Sequence, residues 1–83
     1  MNAKDQRPIA VELTGNYTSL MSYDGSNNLE YLGKANIGSA TSDSIWQIKK
    51  FIYSGSNMTG ILYADGNELF DNLWDDRTSL SYS

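Results

Sequence analysis

Cysteine and histidine are both absent from the 83 residues, and each absence removes a class of chemistry. Without cysteine no disulfide can brace the chain, and without either residue the common zinc sites have no ligands. Nucleophile pairs of the Ser-His-Asp or Cys-His kind cannot be assembled either. Basic charge is scarce, six Lys and Arg against ten Asp and Glu for a net charge of −4. Such a balance argues against a phosphate-tracking surface, so nucleic acid is not an expected partner. No apolar run approaches the roughly eighteen residues that cross a bilayer, and MNAKDQRPIA lacks the apolar stretch of a secretion signal. No membrane partner is therefore expected, and synthesis is expected in a cytoplasm. Proline occurs once, at Pro8.

A chain of this length has room for one domain and hides only about 60 to 65% of the surface its unfolded form exposes. Small domains of that kind are usually reinforced by disulfides, a metal or other chains. With disulfides and zinc excluded, what remains is an idealised fold, a hard oxygen-ligated cation or other chains.

What is present is β signal. Residues 45–53 and 58–64 are rich in β-branched and aromatic side chains and flank Ser54-Gly55-Ser56-Asn57, which predicts a hairpin at the middle of the fold. Trp46, Ile48, Phe51, Ile52, Ile61 and Leu62 make it the most apolar part of the chain, with Trp46 and Phe51 as expected core. Upstream, residues 17–23 and 29–35 flank Asp24-Gly25, a tight-turn signal, and predict a first hairpin with Tyr17, Met21 and Tyr23 on one face. Ile9, Val11 and Leu13 alternate with Ala10 and Glu12 after Pro8, the period of a half-buried strand. The domain is thus expected over residues 8–83, preceded by a polar arm at residues 1–7. Residues 36–43, NIGSATSD, have the composition of a loop.

In the tail, Leu69 and Leu73, and Phe70 and Trp74, stand four apart, which predicts a one- or two-turn helix or tight coil over residues 68–75. Residues 78–82 alternate as a final short strand. The fold class expected is all-β, about six short antiparallel strands in a small sandwich or partly open barrel.

Candidate chemistry is sparse. Asp65, Glu68, Asp71, Asp75 and Asp76 hold half of the acids, but their spacing misses the EF-hand pattern, and Asp-Gly is accounted for by turn formation. No cofactor and no enzymatic activity are expected. Six tyrosines and two tryptophans offer contact area for sugars or for other proteins. Trp74 beside Asp75, Asp76 and Arg77 is expected half-exposed with Arg77 over its ring. Together with Tyr82 these form the expected interface residues: Trp74, Arg77 and Tyr82.

Three segments taken together, YDGSNNLEY leading to GKA and GSA, then WQIKK, then YADG with FDNLWDDR and SLSY, resemble a group of short, mostly uncharacterised proteins encoded among the structural genes of tailed bacteriophages. The likeness spans residues 17–83 and brings no catalytic motif with it. It implies a virion component present in many copies, in the capsid, neck or tail, whose partners are other virion proteins and copies of itself. The alternative function is a small carbohydrate-binding or host-adhesion module, assisted by calcium, that uses exposed tyrosine and tryptophan.

Overall fold

A computed structural model describes residues 16–83. The arm expected at residues 1–7 and the strand expected at residues 9–13 lie outside the described residues. Four strands, β1 (Tyr17–Tyr23), β2 (Leu29–Asn36), β3 (Gln47–Ser54) and β4 (Asn57–Tyr63), form one antiparallel sheet in the order β1-β2-β3-β4. The chain is therefore mostly β, as expected, but the second layer of a sandwich and the closure of a barrel are not found among the described residues. One reason lies in residues 78–82, expected as a strand. They pair with β4 only at its end, through Ala64 and Tyr82, while Leu80 and Tyr82 turn onto the core.

Both hairpins form, each by a different turn. In β3-β4 the pair Ser54 and Asn57 closes a two-residue loop, with Gly55 at φ 62°, a conformation glycine adopts without steric cost. In β1-β2 the Asp24 N–H donates to the Asn28 carbonyl at 2.9 Å and the Asn27 N–H to the Asp24 carbonyl at 3.1 Å. The left-handed residue there is Asn27, at φ 65°, rather than the glycine of Asp24-Gly25. A three-residue loop ending in a left-handed residue explains this. Asp24 serves the turn through its carboxylate, which accepts from the Ser26 N–H at 2.8 Å and the Asn28 N–H at 3.0 Å.

The core occupies one face of the sheet. Tyr31 and Ala35 of β2, Trp46 and Ile48 from the start of β3, and Ala64 after β4 are buried there. Phe51, expected in the core, is only half-buried, because strand alternation puts it on the face opposite Ile48. The hairpin β3-β4 is likewise not central, since β4 is an edge of the sheet.

Residues 67–83 supply the lid of this core. Of the one- or two-turn helix or tight coil expected over residues 68–75, only a 3-10 turn forms, at Trp74–Asp76. Asn72 exchanges two backbone hydrogen bonds with Trp46, at 2.9 and 3.1 Å, an extended pairing that helical dihedrals would forbid. Asn67 Oδ1 accepts from the Leu69 N–H, and Gln47 Nε2 donates to the Glu68 carbonyl. Leu69 consequently stays exposed instead of stacking on Leu73.

Candidate functional site

The two faces of the sheet differ in what covers them. On the covered face Trp74 lies over Gly33, where a Cβ would stand 2.6 Å from Trp74 Cζ3, closer still to Cε3, and 3.2 Å from Trp46 Cε3. Glycine is required there for space. The two indoles meet at 6.1 Å between centroids and a 42° tilt, within the range of favourable aromatic pairs. Trp46 Nε1 donates to the Ala40 carbonyl at 2.9 Å.

This geometry corrects the expectation for Trp74, which is 6% exposed rather than half-exposed. Proximity to Asp75, Asp76 and Arg77 in sequence was misleading, because the 3-10 turn sends the indole inward and the acids outward. Arg77 does lie over the Trp74 ring, 4.7 Å from its centroid, and its Nη1 donates to the Trp74 carbonyl at 3.2 Å. Its Nε is buried and has no hydrogen-bond partner. Tyr82 packs against Tyr31 at 5.6 Å, and its hydroxyl donates to the Arg77 carbonyl at 2.7 Å. Burial pushes the Tyr82 phenol above its ordinary pKa, with Tyr31 adding to the effect and Arg77 opposing it. Trp74, Arg77 and Tyr82 are thus brought together, as one cluster that fastens the tail to the sheet.

Among the described residues the opposite face is covered only at one end, where Gln47 reaches the Glu68 carbonyl and Phe70 stacks on Tyr17. Strand alternation sends Tyr17, Met21 and Tyr23 outward from β1, and the register aligns Met21 with Leu32, Phe51 with Ile61 and Tyr53 with Met58. Met21 is 53% exposed, Tyr23 58%, Met58 48% and Ile61 49%. The extra residue of a bulge between Met58 and Gly60 lets Met58 and Ile61, three apart, share this face. Lysines border it: Lys34 Nζ sits 4.7 Å from the Tyr17 ring centroid and Lys49 Nζ 5.6 Å from that of Tyr63. Tyr17 also stacks on Phe70 at 5.6 Å, and both rings are part-exposed. Single exposed apolar residues are ordinary on protein surfaces; here several share one sheet face.

Sequence reasoning found the shared face of Tyr17, Met21 and Tyr23. It missed that this face is the open one, and it missed Met58, Ile61 and the space-giving role of Gly33. Alternation across β4 was the available signal for Ile61; the bulge concealed it for Met58.

Among the described residues the acids of the tail do not converge into a metal-binding group, and no enclosed pocket forms. Asp65 and Gly66 carry φ of 60° and 70°, so both belong to a tight turn of the primed type. No family model, curated protein or solved structure matches the chain.

Proposed function

We propose that this chain is a structural subunit of a tailed-phage virion, in capsid, neck or tail, that acts through protein-protein assembly after synthesis in the host cytoplasm. The observation that carries the assembly part is the open sheet face, on which Met21, Tyr23, Met58 and Ile61 are each about half exposed. Among the described residues, one face of the sheet is left largely without a lid, and covering it is what other subunits contribute. The virion part rests on the likeness of the turn and aromatic pattern over residues 17–83. Its test is mass spectrometry of separated heads and tails from a purified particle that encodes this chain. Recovery in a stoichiometric amount from one fraction supports the proposal; absence from both rejects it.

The second reading, a carbohydrate-binding or adhesion module, is favoured by one feature, the part-exposed stack of Tyr17 on Phe70 with Lys34 over the tyrosine. Aromatic platforms of this kind can stack on sugar rings. Binding on a glycan array that is abolished by Tyr17→Ala would establish it in place of the first reading.

A further inference from the structure

We propose that β4 pairs along its outer edge with β4 of a second copy, antiparallel, about a twofold axis passing near residues 59 and 60. The inference rests on the assembly reading above and names its partner. β4 is the last strand of the sheet, and its outer edge already accepts one antiparallel segment. The Tyr63 N–H donates to the Ser83 carbonyl at 3.1 Å, the Ser83 N–H returns the bond at 3.1 Å, and the Asp65 N–H donates to the Ser81 carbonyl at 2.7 Å. Backbone groups in such a strand alternate sides, so Ile61, two residues before Tyr63, also directs its N–H and C=O outward. The tail does not extend along residues 57–62, which leaves that part of the edge without a strand beside it among the described residues.

Edges of natural sheets are normally protected by lysine, proline, inward charge or a bulge. β4 has its bulge at Thr59, beside the proposed axis, and reads NMTGILY, with no charge and no proline. That matters for a chain of net charge −4, whose copies repel one another over most of their surface. An uncharged strand meeting its own copy carries no like-charge cost. The side chains fit the same geometry. Antiparallel pairing about an axis between residues 59 and 60 sets Ile61 opposite Met58 of the partner subunit, and the reverse. Both belong to the open face, so the pairing joins the two open faces into one continuous apolar strip without sending any side chain to the wrong side. The interface is self-complementary, as a twofold contact must be.

The test uses the full chain, by native mass spectrometry and light scattering across a concentration series. The wild type is expected to give a dimer, and Ile61→Lys is expected to raise the dissociation constant by about tenfold or more. Tyr23→Lys, on the same open face but on β1, is expected to leave the dimer intact. Because the chain has no cysteine, single cysteines placed in turn at residues 57–62 give a second readout under mild oxidation. Disulfide yield is expected to peak at residues 59 and 60 and fall toward both ends, since only residues beside the axis meet their own copies within disulfide reach. Uniform yield at every position indicates parallel stacking and overturns the proposal. So does a dimer that resists Ile61→Lys, or a wild type that is monomeric throughout. A monomer that is nonetheless found in the virion would refute the β4 pairing while leaving the assembly reading in place.

Discussion

Gly33→Ala is expected to destabilise the fold, and most of the cost is expected to vanish when Trp74 is reduced. The added methyl would lie 2.6 Å from Trp74 Cζ3 and 3.2 Å from Trp46 Cε3, where ordinary carbon contacts sit at about 3.5–4.0 Å. Trp74 would have to move by about 1 Å. It is poorly placed to do so: Trp46 backs it, Arg77 lies over it, and its neighbour Asp75 donates its N–H to the Thr41 carbonyl at 3.2 Å. Overpacking of this kind costs about 1–3 kcal/mol. Replacing a strand glycine offsets about 0.5–1 kcal/mol of that by restricting the unfolded chain. The net loss is about 1–2 kcal/mol, a sizeable share of the roughly 4–12 kcal/mol typical for a chain of this length. In a Trp74→Leu background the contact with Trp74 is relieved and only the milder one with Trp46, at 3.2 Å, remains, so the same substitution should come within about 0.5 kcal/mol of neutral. Urea titrations of the four proteins, followed by Trp46 fluorescence and far-ultraviolet circular dichroism, measure the cycle. An equal cost in both backgrounds would refute the reasoning, because it would show that the methyl does not meet Trp74.

Trp74→Ala should cost about 3–5 kcal/mol and lower the melting temperature sharply, whereas Tyr23→Ser on the open face should stay within about 0.5 kcal/mol; thermal melts compare the two. Asp24→Ala removes the acceptor of two turn N–H groups and should cost about 1 kcal/mol in a urea titration. For Tyr82, the folded state raises the phenol above its ordinary value of 10.0. The unfolded chain therefore loses this proton first, and the stabilisation is complete below about pH 10 and declines as pH rises through the raised folded value. Tyr82→Phe should lose about 0.5–1.5 kcal/mol at neutral pH with the hydrogen bond to Arg77, then fall less steeply than wild type in melts above pH 10.

Both hairpins were legible because their signals are local: β-forming runs, a glycine at the β3-β4 turn, an aspartate that closes the β1-β2 turn. Trp46 was legible as core for the same reason. What local pattern cannot carry is the choice of covered face. A period of two groups Tyr17 with Met21 and Tyr23, but the face they share is decided by where residues 67–83 lie, and that depends on the pairing of Asn72 with Trp46 and on the space above Gly33. Both are contacts between residues far apart in sequence. The helical spacing of Leu69, Leu73, Phe70 and Trp74 was a true periodicity with a different outcome, since the Asn72 pairing requires an extended backbone. Arg77 was correctly set over Trp74, while Trp74, Arg77 and Tyr82, expected at an interface, meet where the tail attaches to its own sheet.

The lid supplied by the tail also bears on biogenesis. A ribosome delivers all four strands before it delivers Trp74 and Tyr82, so the emerging hairpins are wet on both sides for a time. During that interval Trp46 and Ile48 are open to any passing chain, and nascent copies translated side by side from one message are the nearest candidates. Slow translation through residues 64–74 would lengthen the hazard, and rapid delivery of the tail would shorten it.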